Sequence, residues 1–259
     1  MHPIETRIRQ SARWLRAVLP WVALGSVMAQ SAPGASALPP LPAFSAMPVG
    51  AADSGWRVAG LPNQKIPLTR FDVMALDGRN VLRVQADASY GNLVFDTGHA
   101  RLAANAVLRW SWRLERGLPA SDLASKQGDD TPLKLCVLFD LPLDGLGFAE
   151  RAKLRLARTL SGEALPGATL CYVWDRLLPV GTALPNVYSP RVRYIVVNSG
   201  EPRAGQWFSH ERRFVADFLR AFGHEAPVMP PLVAVLVGAD ADNTAGHNMA
   251  YVGDVGLAP

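Results

Sequence analysis

"AVLRWSWRL", Ala106 to Leu114, decides how this chain folds. Leu108, Trp110, Trp112 and Leu114 alternate with Arg109, Ser111 and Arg113. A period of two puts the first set on one face of a β-strand and the second on the other. Each buried aromatic removes roughly 150–250 Å² from water, so the tryptophan face is expected to line a core.

The same grammar extends outward. "TRFDVMAL" (Thr69 to Leu76) and "RNVLRVQA" (Arg79 to Ala86) flank Asp77-Gly78, a hairpin signal. "GNLVFDT" (91–97), "PLKLCVLFDLP" (132–142), "ATLCYVWD" (168–175) and "RVRYIVVNSG" (191–200) read as further strands. "GQWFSHERRF" (205–214) reads as a strand or irregular segment, and "NMAYVGDVGL" (248–257) as one last strand. "PLVAVLVG" (231–238) is apolar on both faces, the mark of a central, doubly covered strand. Two segments carry a helical period instead: "GFAERAKLRLARTLSGE" (147–163), with a basic face expected to be solvated, and "FVADFLRAFG" (214–223). About nine short strands and one or two inserted helices predict a mainly β fold, a jelly-roll-type antiparallel β-sandwich.

The amino terminus reads as an address. Arg7, Arg9, Arg13 and Arg16 precede the short apolar run "AVLPWVALGSVM" (17–28), with small residues at Val27-Met28-Ala29 and again at Ala35-Ser36-Ala37. This is the secretory pattern, with a signal peptide over 1–29 or cleavage as late as 37. An uncleaved anchor is the alternative, although the run is short for a bilayer span. A periplasmic or secreted protein without stable membrane insertion is expected. Residues 30–55, rich in Pro and Ala with one charge at Asp53, read as a disordered linker. Residues 56–257 then form a single domain. The chain has 26 basic and 22 acidic residues; without 1–29 the net charge falls to +1, so no basic field argues for nucleic acid.

Chemistry-bearing residues are sparse. His99, His210, His224 and His247 lack metal-ligand spacing, and no nucleophile elbow or phosphate-binding loop occurs. Carboxylates gather at two turns: Asp129 and Asp130 in "KQGDDTPL", and Asp240, Asp242 and Asn243 in "GADADNTAG". Clustered oxygen ligands suit calcium, with Asp240 and Asp242 as the candidate metal ligands. The same residue types also form ordinary turns or hold an organic ligand. Arg212 and Arg213 are placed for ion pairing or for recognising polar groups. Tyr172, Trp174 and Tyr188 offer either core packing or a stacking surface for a sugar. Cys136 and Cys171 lie in two apolar runs, where a disulfide and two buried thiols are both admissible.

"LRWSWRL", "DDTPLKLCVLFD", "TLCYVWD", "RYIVVNSG", "QWFSHERRFVADFLRAFG" and "GADADNTAG", taken in this order, resemble a bacterial family known as domain of unknown function 3047. The resemblance runs from Trp56 to Leu257. It implies an exported, sandwich-like domain, and it marks Asp129 and Asp130, Arg213 and Asp217, and Asp240, Asp242, Asn243 and Thr244. The two cysteines fall outside that pattern. The functional expectation is a non-catalytic module that binds a carbohydrate or small polar ligand. The alternatives are a glycan-acting hydrolase or lyase that uses the loop carboxylates, and a structural envelope protein that binds another protein.

Overall fold

The computed structural model describes residues 38–61, 63–142, 166–226 and 228–259. The chain divides into two units, Met1–Gly34 and Ala35–Pro259. The expected signal peptide and the expected helix at 147–163 lie outside the described residues. In chain order the strands are β1 (Gly50–Ala51), β2 (Trp56–Ala59), β3 (Arg70–Leu76), β4 (Arg79–Gln85), β5 (Tyr90–Ala100), β6 (Val107–Arg116) and β7 (Thr131–Phe139). Then follow β8 (Ala168–Asp175), β9 (Ala183–Pro185), β10 (Val192–Ser199), β11 (Phe208–Arg212), β12 (Leu232–Asp240), β13 (Met249–Val252) and β14 (Gly256–Ala258). Among the described residues one α-helix, α1 (Phe214–Phe222), lies between β11 and β12.

These strands form two sheets packed as a jelly-roll-type sandwich. The first runs β1-β3-β4-β13-β6-β11, with β14 also paired to β6. The second runs β2-β5-β12-β7-β8-β10-β9. Pairing is antiparallel except between β8 and β10, which run parallel because β9 returns the chain between them. The β3–β4 hairpin turns on Asp77 and Gly78, both at positive φ (52° and 79°), the backbone that a two-residue hairpin with right-handed strand twist requires. β12 sits between β5 and β7 and is buried on both faces.

The core lies where the alternation of β6 put it. Trp110 and Trp112 are 3% and 0% exposed. The ring of Trp110 packs 5.3 Å from Tyr172 of the opposite sheet. Trp112 donates its indole N–H to Asn198 Oδ1 at 2.7 Å. Tyr172 and Trp174 are buried in the same core rather than presented to a ligand, whereas Tyr188 is exposed.

Two expectations change, and a third reading, left between strand and irregular segment, resolves to a strand. The stretch read as a disordered linker is, from Leu38 onward, part of the domain. Phe44 is fully buried, its ring 5.2 Å from Trp56, and Met47 is buried beside it. Asp254 accepts from Ser45 N (2.8 Å) and Oγ (2.6 Å), Asn80 Nδ2 donates to Met47 O (2.8 Å), and β1 pairs with β3. The run read as one last strand is two, broken at Gly253. A Cβ there would fall 2.4 Å from Ser111 Oγ, so the backbone passes closer to β6 than any side chain allows. The segment 205–214 contains a true edge strand, β11, in register with β6.

Cys136 and Cys171 face each other across β7 and β8 and are bonded, with S–S 2.02 Å. The bond sits in a second apolar cluster with Leu123, Val173, Tyr194 and Leu236, on the face of the second sheet turned away from the first. It closes a separation of 35 residues, which the chain-entropy relation values at about 3–4 kcal/mol. Urea denaturation of the double Cys→Ala variant is expected to show a loss of that size. A change under about 1 kcal/mol would mean that the unfolded chain is already restricted there.

Candidate functional site

The outer face of the second sheet can be laid out in rows. In one row Tyr90 of β5 stands opposite Asp240 of β12. In the next, Asn92, Gly238, Lys134 and Val173 follow one another across β5, β12, β7 and β8. Val94, Leu236, Cys136, Cys171 and Tyr194 form the row beyond. The face is therefore apolar in its middle and polar at one end.

Gly238 makes that polar end possible. A Cβ at this position would lie 2.3 Å from Asn92 Oδ1 and 2.8 Å from Lys134 Cε. Without one, Lys134 leans across β12 and places Nζ 3.1 Å from Asp240 Oδ2. Asp240 Oδ1 accepts the N–H of Thr131 at 2.9 Å. The ammonium also lies 5.0 Å from the ring centroid of Tyr90. Burial opposes the Lys134 charge, but Asp240 outweighs it, aided by Tyr90 and Tyr194, so the pKa stands above the usual lysine value. Burial raises the Tyr194 hydroxyl in turn, against the pull of Lys134.

Two loops meet above this pair. Asn186 donates through Nδ2 to Asp129 Oδ2 (2.6 Å) and to Tyr194 Oη (2.9 Å). Tyr188 donates its hydroxyl to Lys126 O at 2.8 Å, tying the segment after β8 to the one before β7. Asp129 is buried, and loss of hydration is the largest influence on it. Asn186 opposes the shift and Asp240 adds to it, pushing the carboxyl up to about 6. Asp130 has another role. It accepts from Asn243 N (3.1 Å), Thr244 N (2.8 Å) and Thr244 Oγ1 (2.5 Å), fastening the turn after β12. Asn243 Nδ2 returns a bond to Asp129 O at 3.1 Å. Asp242 is half-buried; burial, then Asp240 and Asp130, raise its pKa.

The two acidic loops thus converge, bringing Asp129, Asp130, Asp240, Asp242, Asn243 and Thr244 into one region. Lys134, Asn186, Tyr194, Tyr90 and Asn92 complete it, and none of these five stood out as chemistry in the sequence. Lys134 carried a signal: it is the one charge inside the apolar run "PLKLCVLF". Among the described residues no group of three or more His, Cys, Asp or Glu side chains is arranged to hold a metal ion. Asp240, read as a calcium ligand with Asp242, meets the Lys134 ammonium instead.

Arg213 and Asp217 do not join the region. Asp217 accepts from Arg212 Nε and Nη2 (2.9 Å each), Tyr172 Oη (2.9 Å) and Arg220 Nη1 (3.2 Å), on the inner side of the second sheet. Arg212 shares a face of β11 with His210 and so points inward, whereas Arg213, one residue on, is exposed. His210 packs 4.8 Å from Trp110 and contacts Asn198 Oδ1 at 2.8 Å; burial and then Arg212 lower its pKa to about 4. An open groove of about 540 Å³ lies elsewhere, on the outer face of the first sheet, lined by Arg79, Arg109, Ser111, Ser209, Glu211 and Asp254.

Asp129 makes stability depend on pH. A carboxyl whose folded pKa exceeds its unfolded one holds its proton more tightly when folded. Its contribution is present at low pH and is lost as pH rises from about 4 towards 6. Asp129→Asn is therefore expected to melt higher than the parent at pH 7 and to lose that advantage near pH 4. Equal melting temperatures across the range would contradict a raised Asp129.

The chain belongs to the family described as protein of unknown function (DUF3047), whose model matches residues 54–256. No curated protein matches it. In structure it is similar to the Trichoderma harzianum endoglucanase 3 from family GH12, with 10% identity, 80% of this chain and 99% of that chain covered, and a TM-score of 0.39. It is also similar to the family 11 xylanase from Neocallimastix patriciarum (10% identity, 81% and 94% covered, TM-score 0.38). A third is the xyloglucanase domain of NopAA, a type three effector from Sinorhizobium fredii, in complex with cellobiose (9%, 81% and 96%, TM-score 0.41).

Proposed function

We propose that this DUF3047 protein is an exported, non-catalytic module that binds a carbohydrate or small polar ligand at the Asp129–Lys134–Asp240 region. One observation carries the reading. Asn92 Oδ1 and Asp129 Oδ1 are buried acceptors without a hydrogen-bond partner among the described residues. They come from separate parts of the chain and both belong to the region around Lys134. A buried acceptor left unpaired costs about 1–3 kcal/mol, and unmatched groups of this kind call for a donor. Hydroxyl groups of a polyol supply such donors. The export component rests on the basic and apolar pattern of residues 1–29.

A second reading has its own support. Asp129 is pushed up to about 6, while Asp240 faces the Lys134 ammonium. Two carboxyls in unlike surroundings are how acid and base roles are divided in glycoside hydrolysis. A glycan array with the full chain, followed by incubation of every bound glycan with the protein, separates the two readings. The module reading expects binding and intact glycan. Release of reducing ends that Asp129→Asn abolishes would replace it with the hydrolase.

A further inference from the structure

Three side-chain atoms in the region of Lys134 lack a hydrogen-bond partner among the described residues; one is the Thr131 hydroxyl, which can donate or accept, and the other two only accept. Asn92 Oδ1 and Asp129 Oδ1 are acceptors. Asp129, Asp130, Asp240 and Asp242 bring four carboxyls to the region, and Lys134 is the ammonium paired with one of them, Asp240. Asp130 is satisfied by Asn243 and Thr244, and Asp240 by Thr131 and Lys134. Among the described residues Asp129 keeps one oxygen unpaired and has no cation bonded to it. Asn92 is an independent witness: it comes from β5, is 8% exposed, and aims Oδ1 over Gly238 towards Lys134.

Building on the reading of this region as a ligand site, we propose that its ligand carries a primary ammonium group on a hydroxyl-bearing scaffold, as an amino sugar does. The ammonium pairs with Asp129 Oδ1, and a ligand hydroxyl donates to Asn92 Oδ1. An acidic sugar or a phosphate would place a further negative charge among carboxyls that already repel one another. A neutral sugar satisfies the hydrogen bonds but leaves the Asp129 charge without a counter-charge, and charge-assisted bonds are roughly twice as strong as neutral ones.

Titration calorimetry at pH 7 tests this with four probes: a chitosan hexamer, the fully N-acetylated hexamer, an oligogalacturonate of the same length, and spermidine. The chitosan hexamer is expected to bind at least about ten-fold more tightly than its acetylated form, a difference of about 1.4 kcal/mol. The oligogalacturonate is expected not to bind, and spermidine to bind more weakly than chitosan. Asp129→Asn is expected to abolish the ten-fold preference while retaining the acetylated hexamer. Equal binding of chitosan and the acetylated hexamer overturns the ammonium and leaves the binding module standing. Spermidine binding as tightly as chitosan overturns the sugar scaffold. A preference that survives in Asp129→Asn overturns the assignment to Asp129. Failure of every probe, together with an empty glycan array, removes both this inference and the module reading.

Discussion

Lys134→Met is expected to lower the unfolding free energy by about 3–5 kcal/mol at pH 7, the usual result of removing one partner from a buried ion pair. The side chains of Lys134 and Asp240 are 7% and 8% exposed. Without the ammonium, Asp240 retains, among the described residues, the Thr131 N–H, and Asp129 loses the positive charge that offsets its neighbours. The penalty comes from the carboxylate left behind, so adding Asp240→Asn should recover a substantial part of it. Equilibrium urea denaturation of the two single variants and the double variant measures this coupling. Additive losses would mean that the pair contributes little and that the buried lysine is held by its hydrocarbon stem alone.

Phe44→Ala is expected to cost about 3–5 kcal/mol, the range for truncating a buried phenylalanine. Phe44 is fully buried and its ring packs 5.2 Å from Trp56, which in turn lies 5.5 Å from Phe95. Its loss opens a cavity at the base of β2 and frees the strap held by Ser45 and Asp254. Chemical denaturation gives the number. A loss under 1 kcal/mol would show that the segment before Trp56 is an accessory rather than part of the domain.

The strands were legible wherever a physical rule acts within a few residues. Alternation fixed the buried face of β6, Asp77-Gly78 fixed the β3–β4 turn, and an apolar run on both faces marked β12 as central. What escaped depends on distant neighbours. The segment around Phe44 has the composition of a linker, and one aromatic ring is enough to seat it. At Gly253, between the last two strands, the chain passes too close to Ser111, far away in sequence, to leave room for a side chain. The true partner of Asp217 is Arg212 and not Arg213 because strand alternation turns the first inward. The region around Lys134 depends on β12 lying between β5 and β7, which brings Asp130 to Asn243 across 113 residues.

The central claim is the location of the ligand, and amide chemical-shift mapping tests it most directly. With the tightest glycan from the array added to labelled protein, shifts are expected at Tyr90, Asn92, Asp129, Lys134, Asn186, Tyr194 and Asp242. Residues lining the groove on the first sheet, such as Arg109, Ser209 and Glu211, should not move. Shifts confined to that groove, with the Asp129 region unchanged, would contradict the account.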